Sequence, residues 1–313
     1  MIRNTQKTLL AILFWTMATL ATGQQWSEPV QISDMEGLDN YPEFCIDNNG
    51  VIHVVWTHAA SSFYDHSVVY YSKSTNDGAT WSEPLNISQN EEKAIARPKI
   101  VADSENRLYV AYNYNFLEVY DQKILMQRFD GQNWTTAADT VSGNQTPCWA
   151  PRLAVGTDDK VYCFFLNGGQ AYTTLYRTFQ NGQWGEIIEP YPEAYSISIV
   201  PIVDNSNTIH AKGSYSNSNM EHQPIYTIFE NGEWANPFIK VFKRTEGYTQ
   251  MAVDQNNKPH FCWAQCSPEA SNNIDTLTHF YLENDQWKSE VLEITESQIE
   301  TSDLLVDQNN TLN

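Results

Sequence analysis

Six stretches of this chain repeat one line: an apolar run, an aspartate, a polar turn, then histidine or tyrosine and an aromatic strand. The clearest copies are Pro42–Trp56 (PEFCIDNNGVIHVVW), Pro98–Tyr112 and Pro151–Phe165, followed by segments around Asp204, Asp254 and Asp307. Asp47, Asp103, Asp204 and Asp254 each precede His53, Tyr109, His210 and His260 by six residues, and Gly156 takes the aspartate's place in the third copy. A second line follows each copy: a strand, a tight turn closing on tryptophan, and a polar strand. The turn tryptophans Trp81, Trp134, Trp184, Trp234 and Trp287 are spaced by 53, 50, 50 and 53 residues. Asn-Gly and Asp-Gly between alternating runs are hairpin turns, because glycine accepts the positive φ of a type I′ turn.

Each unit of about 50 residues therefore reads as four short antiparallel strands. The first is apolar on both faces (IVAD, LAVG, MAVD), as an innermost strand packed between neighbours must be, and the later ones are more polar. The expected fold is all-β, a β-propeller of four-stranded blades, about six in number with the last incomplete. Six copies at nearly fixed offsets argue against a β-sandwich. Trp26-Ser-Glu-Pro-Val-Gln-Ile-Ser matches Trp81-Ser-Glu-Pro-Leu-Asn-Ile-Ser, an outer fourth strand with no strands one to three before it. The sixth copy stops at Asn313, where its second strand is due. On this reading the N-terminal strand helps complete the last blade, and the sequence is a C-terminal truncation.

Residues 1–23 read as a secretory signal peptide. Arg3 and Lys7 precede the apolar run Thr8–Thr22, and Ala21 and Gly23 suit cleavage before Gln24. The run is short for a bilayer span, and no later one approaches that length, so no membrane insertion is expected. The domain is 24–313, placed outside the cell, at its surface or in the periplasm. Eighteen Lys+Arg against 38 Asp+Glu give −20, which excludes nucleic acid as a partner, since that affinity comes from clustered bases. The five cysteines are an odd number. Cys45, Cys163 and Cys262 sit in apparent strands as small buried hydrophobes, and the pair Cys262/Cys266 would lie about 13 Å apart in an extended strand, too far to bridge. At most one disulfide is expected, and neither a metal nor a cofactor.

Ser74-Thr-Asn-Asp-Gly-Ala-Thr-Trp81 resembles the Asp-box, S-x-D-x-G-x-T-W, of the sialidase-like propellers with BNR repeats. Ser74, Gly78, Thr80 and Trp81 match, and Asn76 stands where the family has aspartate. The turns before Trp134, Trp184 and Trp234 keep only glycine and tryptophan, as in Gly182 and Trp184. IDNNGVIHVVW and WSEPLNIS are also similar to segments of bacterial secreted members, so the resemblance covers Gln24–Asn313. It implies that the Asp-box is a folding device away from the ligand face. Sialidases of the superfamily clamp a carboxylate with three arginines and use a Tyr–Glu pair and an Asp. The usual F-R-I-P segment is absent here. Arg97 and Arg152 stand at the entrances of innermost strands, where a funnel-facing residue belongs, whereas Arg107 lies in a first-to-second turn and Arg128 and Arg177 on third strands. A complete triad is not visible.

Loops entering innermost strands and loops joining strands two and three share one face of a propeller and form its central concavity. Here they carry the candidate ligand-binding residues Tyr41, His58, Tyr64, Tyr114, Glu118, Trp149 and Tyr248, with Tyr112, Tyr120 and His66 nearby. Rings stack on sugar faces and carboxylates accept hydroxyl hydrogen bonds, so the set suits a glycan. The candidate catalytic residues are Arg97, Arg152, Glu43 and Asp65. Glu43 and Asp65 could work as acid and base at a glycosidic bond. His58, Tyr64 and His66 could instead take a proton beside a uronate carboxylate. His53, His210 and His260 share one repeat position and read as packing residues. The sequence thus describes a secreted, sialidase-like propeller binding a glycan or an extracellular or cell-surface protein. Exo-acting glycoside hydrolysis of sialidase type and polysaccharide lysis stay open as alternatives.

Overall fold

The computed structural model describes residues 28–62, 66–88, 94–115, 117–118, 120–168, 172–192, 196–216, 222–235, 249–266, 275–284, 286–295, 304, 306 and 310–311. The chain divides into Met1–Asp34 and Met35–Asn313. In the first unit, Glu28–Asp34 forms no strand, and Gln31 Nε2 donates to the Ser33 carbonyl at 2.7 Å. The expected outer-strand tryptophan, Trp26, lies outside the described residues, as does 1–23.

The second unit is all-β, with no helix among the described residues. Blade 1 is β1 Leu38–Ile46, β2 Ile52–Ala59, β3 Ser67–Ser74 and β4 Leu85–Asn86. Blade 2 is β5 Ile95–Ala102, β6 Leu108–Tyr114, β7 Lys123–Phe129 and β8 Asp139–Thr140. Blade 3 is β9 Cys148–Val155, β10 Val161–Gly168, β11 Tyr172–Gln180 and β12 Gln183–Trp184. Blade 4 is β13 Ser196–Val203, β14 Ile209–Ser216, β15 His222–Glu230 and β16 Glu233–Trp234. Blade 5 is β17 Thr249–Val253, β18 Pro259–Cys266, β19 Asp275–Glu283 and β20 Gln286–Thr295. Every sheet is an antiparallel meander in chain order, and β1, β5, β9 and β13 contact one another in series. This is a β-propeller with first strands innermost. A sixth blade begins at Leu304 and Val306, which pack on Ala252 and Cys262 of blade 5.

The apolar cores lie between blades. Val55, Val69 and Ile87 of blade 1 meet Ile100, Leu108 and Val110 of blade 2, and Tyr109, Ala111 and Met126 meet Val161, Cys163 and Phe165 of blade 3. Cys45, Cys148 and Cys163 are free thiols. The expectation of cover on both faces holds for β5, where Ile100 is 6% exposed, but not for β1. There Phe44, at the same repeat position, is 62% exposed and Ile46 is 57% exposed. Among the described residues blade 2 is the neighbour that packs against β1, and none of them covers its other face.

The repeated aspartate organises each blade. Asp47 Oδ1 accepts the backbone N–H groups of Asn49 and Val51, both at 2.9 Å, and Asp103, Asp204 and Asp254 do the same in their own turns. The other oxygen reaches the second strand: Asp47 to His53 Nε2 at 3.3 Å, Asp103 to the Tyr109 hydroxyl at 2.9 Å, Asp204 to His210 Nε2 at 3.1 Å. A carboxylate only accepts, so the proton sits on Nε2, and Nδ1 of His53 and His210 accepts from the Tyr71 and Tyr226 hydroxyls at 2.8 and 2.6 Å. In blade 5 the chain runs from His260 Nδ1 to His279 Nε2 at 3.0 Å and from His279 Nδ1 to Glu290 at 2.8 Å. The histidines read as packing residues are therefore hydrogen-bonded parts of the core.

The same turns fasten blade 1 to blade 2, blade 2 to blade 3, blade 3 to blade 4 and blade 5 to the sixth copy. The N–H after the aspartate position donates to an Asx side chain in the following turn: Asn48 to Asn106 at 3.0 Å, Ser104 to Asp159 at 2.9 Å, Thr157 to Asn207 at 3.0 Å, Gln255 to Asn310 at 2.7 Å. Each acceptor has positive φ, between 59° and 67°, a conformation that Asn and Asp tolerate better than other non-glycine residues. Asn310 extends this series into the sixth copy.

The Asp-box hairpin is closed by its own side chains. The Ser74 hydroxyl donates to Asn76 Oδ1 at 3.0 Å and accepts from the Gly78 N–H at 2.9 Å. Asn76 Oδ1 also accepts from the Thr80 N–H, and Asn76 Nδ2 donates to the Thr80 hydroxyl, both at 2.9 Å. Gly78, at φ 82°, takes the left-handed position of the turn and accepts the Trp81 indole N–H at 3.1 Å.

Two outcomes are expected. Asn76→Ala removes the hub of this turn and should cost about 1–3 kcal/mol in urea unfolding, whereas Asn76→Asp should cost little because the Thr80 hydroxyl can turn to donate; an unchanged Asn76→Ala midpoint would show the hub to be dispensable. Burial lowers His53 below its ordinary 6.5, against the opposing pull of Asp47. The unfolded chain therefore takes up the proton first as pH falls, so stability should decline from about pH 7 to about pH 5. His53→Asn should weaken the protein at pH 7 and flatten that slope, and a slope like the wild type's would mean that His53 does not titrate on unfolding.

Candidate functional site

Proline sets the geometry at the entrances of β1, β5 and β9. Lacking an N–H, it cannot complete a ladder hydrogen bond, so the strand bulges around it. The register shifts between Asn40 and Glu43, between Ala96 and Lys99, and opposite Phe164/Leu166, bracketing Pro42, Pro98 and Pro151. The residue before each proline is left-handed: Tyr41 at φ 55°, Arg97 at 56°, Ala150 at 54°. Non-glycine residues hold this conformation only where the surroundings impose it. Asn113 is part of that imposition. Buried on β6, it accepts the Ala150 N–H at 3.1 Å and donates to the Cys148 carbonyl at 3.4 Å, standing in for the ladder that the third bulge interrupts.

Glu43, Lys99 and Arg152 each follow the proline and so occupy one repeat position on three adjacent innermost strands. Glu43 and Lys99 form an ion pair with both side chains partly buried. The Arg97 guanidinium lies 5.8 Å from the centroid of the Tyr41 ring, within cation–π range. Arg152 has Nη1 2.9 Å from the Pro151 carbonyl. Burial, and then the charge of Arg97, hold its pKa below the usual arginine value. Burial, with the charge of Arg152 added, brings Lys99 down to about 8. Arg152 thus feels the charge of Arg97, Lys99 feels that of Arg152, and Lys99 pairs with Glu43, in a chain of net charge −20. Cations that depress one another's proton affinity are ready to accept an anion.

The structure brings together Tyr41, Glu43, Arg97 and Arg152, and adds Lys99, which the sequence reading passed over. Its repeat position, shared with Glu43 and Arg152, was the available signal. His58 is held elsewhere: Nδ1 lies 2.7 Å from Asp39 Oδ1, which also accepts the Trp56 indole N–H at 3.1 Å, and the ring meets Tyr70 edge-on at 5.4 Å. Asp39 was not singled out in the sequence. Trp149 is half-buried and packs edge-on against Tyr172 at 6.2 Å. Tyr114 lines a separate cavity of about 380 Å³ with Tyr112, Lys123 and Gln127. Glu118 and Tyr120 are exposed on the β6–β7 loop, Tyr120 by 88%. His66 is exposed. Tyr64, Asp65 and Tyr248 lie outside the described residues.

The other described arginines serve the blades. Arg107 is bound by Asp103 at 2.6 Å and Glu105 at 2.8 Å, Arg128 pairs with Asp139 at 3.0 Å, and Arg177 donates to the Gly185 carbonyl at 2.7 Å. Among the described residues, the cluster therefore holds two arginines and a lysine.

Known structures of similar fold carry different chemistries. A leech intramolecular trans-sialidase aligns over 92% of this chain and 66% of its own, at 9% identity and a TM-score of 0.61. An ulvan lyase, described as a new family of polysaccharide lyase, aligns over 86% of this chain and 76% of its own, at 12% identity and 0.59. The α-L-arabinofuranosidase of Fusarium graminearum aligns over 87% and 85%, at 13% identity and 0.56. At these identities the likeness is one of fold. Comparison with curated proteins gives no match. The BNR repeat-containing family model matches residues 11–294. With its repeated turns, its Asp-box hairpin and its sialidase-like β-propeller fold, the chain belongs to the BNR repeat-containing family.

Proposed function

We propose that this protein binds a carbohydrate at the entrances of β1, β5 and β9, and that Arg97, Lys99 and Arg152 hold an acidic group of the sugar, a carboxylate. The observation that carries this reading is the mutually repelling set Arg97, Arg152 and Lys99, with Arg97 against the Tyr41 ring, in a strongly acidic chain. Forked guanidinium groups match a carboxylate in shape and charge. Tyr41 offers a ring face beside it, and the bulges hold the groups in place before a ligand arrives. The similar folds named above include proteins of sialic acid, arabinose and ulvan chemistry, which supports a glycan as the ligand class. The leader-like residues 1–23 and the charge of −20 support an extracellular or cell-surface setting, with no nucleic acid partner. No helix among the described residues is long and apolar enough to cross a membrane.

Binding is preferred to hydrolysis because Glu43, the carboxylate at the cluster's own repeat position, is engaged by Lys99. A second reading rests on Asp39 and His58. A carboxylate 2.7 Å from Nδ1 orients an imidazole as a proton acceptor, the requirement of a lyase acting beside a uronate.

Titration calorimetry with sialyl- and uronate-containing oligosaccharides tests the main reading. Arg152→Ala should weaken binding by about tenfold to a hundredfold, since a charge-assisted hydrogen bond is lost, and reducing the sugar carboxylate to an alcohol should do the same. Equal affinity for the acid and the alcohol would overturn it. Release of fluorophore from a sialoside would replace binding by sialidase-type hydrolysis, and an unsaturated uronate product, lost in His58→Ala, would favour the lyase.

Lys99 supplies a pH signature. Its charge is complete well below about 8 and lost above it, so binding of the acidic oligosaccharide should weaken as pH rises from about 7 to about 9. In Lys99→Gln that dependence should disappear.

A further inference from the structure

The seam between blades 2 and 3 and the seam between blades 3 and 4 use the same repeat positions but are filled differently. In the first, a cavity of about 200 Å³ is bordered by Arg107, Tyr109, Arg128 and Phe179. Arg128 lays its guanidinium 4.6 Å from the Phe179 ring centroid, and the Tyr109 hydroxyl is taken by Asp103. In the second, Lys160, Tyr162, Thr178 and Phe229 stand in those four places, and the cavity grows to about 450 Å³. The registers confirm the equivalence: Tyr109 pairs with Arg128 and Tyr162 with Thr178.

The enlargement follows from two replacements. Thr178 is too short to cover the ring as Arg128 does. Gly156 replaces the aspartate, so Tyr162 lacks the carboxylate its counterparts bond. A larger residue could not stand there without displacement, because a Cβ on Gly156 would come 2.4 Å from Asn207 Oδ1, the acceptor that fastens blade 4 to blade 3. The indole above the seam shows the same loss. Trp184 donates to Asp139 at 3.0 Å, whereas at Trp234 the matching residue is Glu189, and no carboxylate takes the buried indole N–H among the described residues.

We infer that this cavity between blades 3 and 4 is a second ligand site, and that it takes a ring of a neutral saccharide. Its volume falls within the range of small-molecule sites, about 300–1,000 Å³. Phe229 gives an apolar wall, and Tyr162, Tyr176, Thr178 and Ser206, side chains whose hydroxyls both donate and accept, line it. The charge at its edge is low: Lys160 is paired with Asp158 at 3.6 Å, and Glu230 leaves one negative charge in the lining. A cation-rich clamp is missing, so the acidic group suited to Arg97 and Arg152 has no counterpart here. The cavity lies at the first-to-second and third-to-fourth turns, the end of the blades opposite the strand entrances, and the two sites are independent.

Saturation-transfer NMR and calorimetry on the full chain, with maltose, cellobiose, lactose and sucrose as probes, test this. At least one probe should bind. Thr178→Arg, which restores the side chain blade 2 carries, should fill the cavity and weaken that binding by about tenfold or more while leaving the unfolding midpoint at or above that of wild type. Tyr162→Phe, which deletes one hydroxyl and little volume, should weaken it by about threefold to tenfold and decides the matter if Thr178→Arg misfolds. Arg152→Ala should leave it unchanged. Absence of binding by all four sugars, or binding that survives both cavity variants, overturns the inference. Binding lost in Arg152→Ala but kept in the cavity variants assigns the sugar to the strand entrances and overturns it equally.

Discussion

One carboxylate per blade carries much of this architecture. An innermost strand ends in a turn whose N–H groups would be left without partners in a crowded seam, at a cost of about 1–3 kcal/mol each if buried. Asp47, Asp103, Asp204 and Asp254 accept two of these groups with one oxygen and tie down the second strand with the other. In blades 1, 2, 3 and 5 the turn presents one further N–H outward, and the next copy's left-handed Asn or Asp accepts it. Register within a blade and docking between blades thus come from the same few atoms. Asp47 and Asp254 show the electrostatic consequence: burial pushes both carboxyls up, but the hydrogen bonds they receive hold both below the ordinary value.

At the other end of the innermost strands the chain departs from regularity. Proline interrupts the ladder in blades 1, 2 and 3, and the three bulges turn consecutive side chains out of the pleat. In blade 4 the proline falls two residues later, at Pro201, and β13 pairs with β14 without a shift. The cations gather where the bulges are. Backbone irregularity and charge concentration coincide on blades 1 to 3, while the rest of the propeller keeps to its pattern.

Blade 3 illustrates how a repeat can change use without changing fold. Its turn keeps the clasp to blade 4 through Thr157 and Asn207, so docking survives the loss of the aspartate. What is lost is the filling of the seam, since Tyr162 and Thr178 stand where blade 2 has an acid-bound tyrosine and an arginine. Space of this kind appears only when one copy diverges from its neighbours at positions that face each other.

The sequence by itself determined the strand pattern, the innermost order and the Asp-box hairpin, because these depend on local chemistry: alternation, turn glycines, and side chains bonding within four residues. It also marked Arg97 and Arg152 as residues at the entrances of innermost strands, where the chain order places a funnel. Other assignments came only with tertiary structure. His58 turned to Asp39, Tyr114 joined another cavity, and Lys99 and Asn113 entered the site, because partners on other strands decide these orientations. The uncovered face of β1 and the enlarged seam beside Tyr162 were likewise beyond sequence, for burial is a property of what packs against a residue. Periodicity names the face a side chain shares; only the neighbouring blade decides whether that face is filled, paired or open.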